Sequence, residues 1–431
     1  MNKSDSERIA TVLEKIGFKL TQKENEADLI VVNMCSVRQS AVDRIYGVAE
    51  KFKKLREKNK KLKTILTGCI LKKDKIKFSK KFDLALDIRD LPKLPKILNT
   101  KYSIFNTRDY LEITPKYRSS FSAYVPIMTG CNNFCSYCAV PYTKGREISR
   151  PAKEILREVK NLIKNNYKEI WLLGQNVNSY KSPICTNMTT NSTNKHSRKF
   201  VPKLVNIRDI NFPKLLGMVN SIKGDFWIRF TSPHPKDFSE ELINTMAKCK
   251  KVTEYLNLPV QSGDNEILKK MNRPYTIKQY KNLVKKIRAK TPDITLSTDV
   301  IVVFPGETKK QFENTMKLFK EIKYDMAYIA KYSPRPGTAA AKLKDDVKPK
   351  EKERRWKILT NILKKTALEK NKKYVGKIIE ALPENYKNGY LIGKSRSYKT
   401  VKFEGKKNLI GKFLKLKIIE AFPWGLKGTL K

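Results

Sequence analysis

FSAYVPIMTGCNNFCSYCAVPYTKGREISRP, residues 121–151, sets the fold and the chemistry of this chain. Its first eight residues, Phe121 to Met128, are an apolar run rich in β-forming side chains and read as a strand. Three cysteines follow at once, Cys131, Cys135 and Cys138, spaced C-x3-C-x2-C. Gly130, Asn132 and Asn133 make this segment a turn and not a core helix, which argues against three incidental packing thiols. Three thiolates suit three irons of a [4Fe–4S] cluster and leave the fourth iron open to a small molecule. Zinc is the rival. A structural zinc site takes four ligands, and the only two histidines, His196 and His234, are distant in sequence.

Beyond Pro151 strand and helix patterns alternate. Strands are expected at Glu169–Leu173, Asp225–Phe230, Glu254–Leu258, Thr295–Val303 and Met326–Tyr332, with helices such as 236–248, 276–290 and 307–322 between them. A βα unit repeated in this way implies a parallel sheet curved into a full or partial barrel. Upstream, a helix at 5–17, a buried strand at Ala27–Val32, a basic helix at 38–58 and a strand at Thr64–Thr67 form a second α/β unit. Cys35 and Cys69 each lie just past one of its strands, where open parallel sheets hold ligands. Residues 100–118 are polar and connecting, and Lys181–Arg208, rich in Thr and Asn, reads as a surface insertion. A helix at 349–373 leads to short strands in KIIEALPE, GYLIGKS, YKTVKFEG and FLKLKIIEAF, a small all-β barrel. The fold class is therefore α/β: an N-terminal α/β domain at 1–105, a partial βα barrel at 117–348, a linking helix at 349–372 and a small β-barrel at 373–431.

The 431 residues suffice for two or three cores, and 40% apolar content is that of a folded chain. Seven unevenly spaced cysteines without a secretory signal argue against a disulfide framework and for metal or redox chemistry where they cluster. No apolar run is long enough to span a bilayer, so a cytoplasmic protein is expected. The net charge of +49 fits a polyanion partner, although Lys is so abundant that coding bias explains it equally well.

C-x3-C-x-aromatic-C after the first strand of a βα-repeat domain resembles the signature of radical-SAM enzymes. GCNNFCSYCAVPYTKGREISRP, WLLGQNVNSY, IRFTSPHP, LNLPVQSGD, FPGET and YSPRPGTAA, in that order, closely resemble the methylthiotransferases and, within them, the MiaB-like branch. The resemblance implies addition of a methylthio group to carbon 2 of isopentenyl-adenosine at tRNA position 37. S-adenosylmethionine would serve as both methyl donor and radical source. It places the radical cluster on Cys131, Cys135 and Cys138 and assigns contacts with S-adenosylmethionine to eight residues. Tyr137 would pack near the adenine. Gly174, Gln175 and Asn176 would meet the methionine amine, Gln261 and Ser262 the ribose or carboxylate, and Pro305 and Gly306 the adenine. Plainer roles are open: Gln175 and Asn176 as caps, and Gly306–Thr308 as a helix start. Val303 stands where the family usually has glycine.

Cys35 and Cys69 resemble two ligands of the family's second [4Fe–4S] cluster. The family's third cysteine, in a first strand, has no counterpart after Met1. Either the start codon lies upstream, which is favoured, or the second site is incomplete. Cys185 and Cys249 are expected to be ordinary thiols. The terminal segment resembles a TRAM domain, with Arg396, Tyr398, Lys399, Lys402 and Phe403 offering cations and rings to RNA. Expected partners are tRNA, an electron donor such as a flavodoxin or ferredoxin, and a sulfur source, acting on a monomer. Two other readings stay open: a sister methylthiotransferase acting on threonylcarbamoyl-adenosine or a ribosomal-protein aspartate, and an N-terminally truncated copy that only binds RNA.

Overall fold

The computed structural model describes residues 1–98, 109–183 and 210–431. The expected insertion from residue 184 onward, with Cys185 and His196, lies outside them, as does residue 105 at the expected end of the first domain.

The chain opens on α1 (Asn2–Lys15), which buries Ile9 and Val12 on one face. It starts three residues earlier than the periodicity predicts, because the backbone N–H of Asp5 already reaches the Met1 carbonyl. β1 (Leu29–Cys35) follows, then α2 (Gln39–Lys58), whose Val42, Ile45, Ala49 and Phe52 form the helical stripe that covers the sheet. β2 (Lys63–Cys69), α3 (Lys72–Ser79), β3 (Leu84–Ala85) and α4 (Leu94–Ile97) complete the unit. The strands are parallel in the order β1-β2-β3, with Cys35 registered against Cys69. β1 is thus an edge strand. Beside it and α1 runs a groove of about 710 Å³, lined among others by Leu13, Phe18, Leu29, Val31 and Asn33.

β4 (Ser122–Pro126) begins the central unit, and the short β5 (Met128–Thr129) leads into the cysteine loop. After α5 (Val140–Lys144), β6 (Ile148–Ser149) pairs back on β5. There follow α6 (Ala152–Lys164), β7 (Glu169–Leu173), α7 (Phe212–Asn220), β8 (Trp227–Phe230), α8 (Glu240–Lys248), β9 (Tyr255–Asn257), α9 (Asn265–Lys270), α10 (Ile277–Lys290), β10 (Thr295–Val302), α11 (Lys309–Ile322) and β11 (Met326–Lys331). β4-β7-β8 and β9-β10-β11 are parallel sheets, joined by a bridge between Ile228 and Val252. Six parallel strands in sequential order make a partial barrel, with all carboxyl ends on one side.

Local chemistry explains the helix starts. Thr276 with Gln279, and Thr308 with Gln311, form capping boxes. The helix expected from 236 begins only at Glu240, because Ser239 Oγ accepts from the Leu242 N–H and fixes the cap there. α12 (Pro349–Lys372) then crosses to the barrel of β12 (Ile378–Lys387), β13 (Tyr390–Ser395), β14 (Thr400–Glu404), β15 (Leu414–Phe422) and β16 (Gly425–Leu430), closed in the order β12-β13-β14-β16-β15. β16 is a fifth strand that the sequence pattern did not reveal, since GLKGTL carries two glycines and too few apolar residues to alternate.

No helix among the described residues is long and apolar enough to cross a membrane.

Candidate active site

The cysteine loop is built on close backbone contacts. Gly130 has φ +77°, and a Cβ there would lie 2.0 Å from the Arg146 carbonyl oxygen, so only glycine fits where the chain folds back beside β6. The Cys131 N–H donates to Gly145 O at 3.2 Å and the Cys138 N–H to Cys135 O at 2.9 Å. The end of α9 anchors the loop from outside. Ser136 donates its N–H to Met271 O and its Oγ–H to Lys270 O, while Asn272 Nδ2 donates to the carbonyls of Asn133 and Phe134.

Arg273, almost fully buried, lies 3.7 Å from Cys135 Sγ through Nη1. Its Nη2 and Nε are held by Pro259 O and the Tyr275 hydroxyl, so the cation is fixed beside the thiols. Burial pushes the Cys138 thiol up to about 12, the neighbouring Cys135 and Cys131 add to this, and Arg273 opposes it. A bound cationic cluster would reverse that preference. Among the described residues, no three Cys, His, Asp or Glu side chains converge on a point where one ion would sit.

The residues expected to hold S-adenosylmethionine lie in this loop and just past strand ends of the barrel. Tyr137 packs against a cluster of Ile267, Met271, Phe304, Tyr332 and Ala340. Gly174 closes on Met128, since a Cβ would lie 2.6 Å from Met128 Cγ. Gln175 Oε1 and Asn176 Oδ1 are buried without a partner; Asn176 heads the short 3-10 turn Val177–Ser179 without a side-chain cap bond, and its Nδ2 donates to Asp237 Oδ2 at 2.8 Å. Two orphaned acceptors at one strand end suit an ammonium group. Gln261 takes φ +69° and is pinned to β10 through the Asp299 carbonyl and the Ile301 N–H. Ser262 is buried, and its Oγ accepts from the Asp264 N–H, a local turn bond.

Pro305 and Gly306 border a groove of about 470 Å³ shared with Ser136 and Lys270. The plainer reading holds for Thr308, which is the cap of α11. Val303, however, is fully buried in a left-handed conformation with φ +61°. For a β-branched residue this stores roughly 1–3 kcal/mol of strain. The glycine that the resemblance leads one to expect would adopt it freely.

His234 sits across the same end of the barrel. Its Nδ1 accepts from the Lys236 N–H, and its Nε2 is buried without a partner. Burial, helped by Arg273 and Lys236, holds its pKa down at about 2 instead of the ordinary 6.5. Below pH 6.5 the unfolded chain therefore binds a proton that the folded chain refuses, and stability falls as the pH drops. Between pH 7 and 5.5 this group is expected to cost about 1 kcal/mol, discounted little because the ring is buried. His234→Asn keeps an acceptor for Lys236, and its urea midpoint should fall less over that pH range. An unchanged pH slope would refute the assignment.

Cys35 and Cys69 are brought side by side at the carboxyl ends of β1 and β2, on adjacent strands about 4.8 Å apart. Cys69 is buried, and burial pushes its thiol up to about 12 against the pull of Lys144. Asn2 Oδ1 lies 3.8 Å from Cys69 Sγ. Among the described residues no third cysteine joins the pair, and two thiolates fall short of the three or four a cubane takes. One segment ties this pair to the first loop. Arg335 donates to Ser36 O at 3.4 Å, and the Ala340 N–H donates to Ser136 O at 2.8 Å. Cys249 is packed in the large core.

The RNA-facing set requires correction. Phe403 is wholly inside the barrel core, because β14 points its odd-numbered side chains inward. Lys399 is buried on Asp325 at 2.8 Å. Arg396 pairs with Glu254 and donates to the carbonyls of Lys250 and Val252. Tyr398 packs on Tyr255 and Trp171. These four close the barrel and its interface with the core, a use that alternation of cations and rings cannot distinguish from RNA contact. Lys402 alone is exposed, 3.9 Å above the Tyr390 ring. Trp424 and Phe422, about half exposed at the β15–β16 turn, were missed because β16 was. Arg273, His234 and Arg335 were missed because single basic residues in motifs carry no spacing signal.

A partial βα barrel with a three-thiol loop after its first strand defines a radical-SAM enzyme. Family models agree: residues 125–319 match the radical SAM superfamily, 1–87 the uncharacterized protein family UPF0004, and 372–431 the TRAM domain. The chain is 40% identical over 445 residues to a tRNA-2-methylthio-N(6)-dimethylallyladenosine synthase of Clostridium botulinum, covering 99% of this chain and 94% of the relative. Similar relatives occur in Clostridium novyi (40%, 100% and 94% covered) and Thermoanaerobacter sp. (39%, 100% and 90%). The chain belongs to this family of methylthiotransferases. Among solved structures, the radical S-adenosylmethionine methyltransferase TsrM of Kitasatospora setae superposes with a TM-score of 0.53 at 14% identity, covering 79% of this chain and 72% of that one, a likeness of fold.

Proposed function

We propose that this protein adds a methylthio group to carbon 2 of isopentenyl-adenosine at tRNA position 37, in the cytoplasm, with an electron donor and a sulfur source as partners. The observation that carries this is the three-cysteine loop, held by the Cys131 N–H to Gly145 and Ser136 N–H to Met271 bonds after the first strand of the barrel. Full-length similarity to relatives of that name supports it. The division at 1–105, 117–348, 349–372 and 373–431 belongs to the same reading.

Cys131, Cys135 and Cys138 would hold a [4Fe–4S] cluster, with S-adenosylmethionine at its open iron. When bound, that cluster supplies the electron that cleaves the sulfonium to a 5′-deoxyadenosyl radical. The chain's own part is positional. Gln175 and Asn176 offer acceptors to the methionine ammonium, Tyr137 and the Pro305–Gly306 turn border the adenine, and Arg273 places a buried positive charge beside Cys135. Gln261 and Ser262 stand at the next strand end for the ribose or carboxylate. Cys35 and Cys69 supply two ligands for a second cluster. That set is short by at least one among the described residues.

Anaerobic reconstitution with iron and sulfide, then incubation with S-adenosylmethionine, dithionite as reductant and added tRNAs carrying isopentenyl-adenosine or threonylcarbamoyl-adenosine, followed by mass spectrometry of their nucleosides, tests the proposal. Formation of the 2-methylthio nucleoside is expected. Modification only of threonylcarbamoyl-adenosine would reassign the substrate, and tRNA binding without iron uptake would refute the enzyme.

A further inference from the structure

We infer that Arg355, on the helix that leads to the C-terminal barrel, is a positioning residue for S-adenosylmethionine. It holds the strained turn at Val303–Gly306 from outside the barrel. The inference rests on the reading that this turn borders the adenine.

The Val303 N–H donates to Glu307 Oε2 at 2.8 Å. Arg355 Nη1 donates to that same oxygen at 2.9 Å and to the Glu307 carbonyl at 3.0 Å. Arg355 Nε is held by Glu351 Oε1 at 2.8 Å, and its guanidinium lies over Phe312. Glu307 and Arg355 are both almost fully buried. Burial pushes the Glu307 carboxyl up, while the Val303 N–H and Arg355 hold it down.

Left-handed backbone at a buried valine persists only where its surroundings over-determine it. Here the determinant is one carboxylate oxygen, shared between the strained N–H and a guanidinium carried by α12. Without Arg355 the Glu307 carboxylate would sit buried with the Asp264 charge acting against it, favouring the protonated or displaced acid and releasing Val303. Pro305 and Gly306, two and three residues on, would move with it.

The test compares the full chain with Arg355→Met, Arg355→Lys, Val303→Gly and the Arg355→Met/Val303→Gly double variant. Hydrogen exchange of peptides spanning residues 300–308 is read on the cluster-free protein. Affinity for S-adenosylmethionine is read on the reconstituted protein from the electron paramagnetic resonance of the reduced cluster, with iron per chain and tRNA affinity as controls. Arg355→Met should speed exchange at that turn and weaken S-adenosylmethionine binding about tenfold, the size expected from releasing one strained residue. Iron and tRNA binding should hold, Arg355→Lys should recover part of the loss, and Val303→Gly should make the Met substitution nearly silent. Unchanged exchange in Arg355→Met overturns the inference, as does an undiminished loss in the Val303→Gly background. Faster exchange with unaltered affinity overturns the placement of the turn at the adenine instead.

Discussion

Cys135→Ala is expected to lose about four irons per reconstituted chain and to form no 5′-deoxyadenosine from S-adenosylmethionine above background. Cys135 is the middle thiol of the loop and the one that meets Arg273. Removing it leaves two thiolates with a buried cation beside them. It should not unfold the loop, whose form rests on Gly130, the Cys131 N–H to Gly145 bond and the contacts of Ser136 and Asn272. Alanine is the right replacement, since a serine oxygen could still bind iron. Cys249→Ala, in the core away from the loop, is the control and should keep all its iron. If the Cys135→Ala chain retained the full iron content and cleaved S-adenosylmethionine, the three-cysteine assignment would be wrong.

Arg229→Met should cost about 3–5 kcal/mol, because it strands a buried carboxylate. Arg229 Nε meets Glu169 Oε1 at 2.6 Å, with both side chains almost wholly buried. Nη1 and Nη2 reach Thr253 Oγ1 and the carbonyls of Arg396 and Ser395, and the guanidinium lies 5.0 Å from the Tyr398 ring. One side chain thus ties two strands of the core to the C-terminal barrel. A protein of several units need not unfold in one step, so tryptophan fluorescence and limited proteolysis should be followed together in urea. The interface should loosen before the core melts. Adding Glu169→Gln, which removes the stranded charge, should return part of the loss. A shift below about 1 kcal/mol for Arg229→Met would mean that water, or Lys394 of the barrel, whose ammonium feels the Glu169 charge, takes over the role, and the hub would not exist.

The legible parts of this molecule are those where local chemistry and burial agree. The Glu169–Leu173 strand is read to the residue, because the four apolar residues Ile170–Leu173, with Asn165–Asn166 before and Gly174 after, are too short a run for a helix. The 349–373 helix has Pro at its first position and apolar residues at helical spacing, Leu359, Leu363 and Ala367, on its buried face. The cysteine loop announces itself through spacing. Interfaces do not. Arg396 and Lys399 read as free cations until Glu254 and Asp325, more than seventy residues away in sequence, are seen to neutralise them. Val303 gives no sign of its left-handed backbone beyond a departure from the glycine suggested by resemblance. His234 and Arg273 lie close in space only because parallel strands deliver their ends to one rim.

The helix α12 also bears on how this chain can be divided. Its Arg355 reaches back to Glu307, its Lys370 shares Asp325 with Lys399 of the barrel, and its Asn371 donates to the carbonyls of Phe422 and Pro423. A cut at residue 348 would leave the catalytic half without the guanidinium that neutralises Glu307, and one at 372 would part Lys399 from its carboxylate. The core and the C-terminal barrel are therefore not portable modules. Anyone transplanting the core into a chimera would need to carry the whole helix with it.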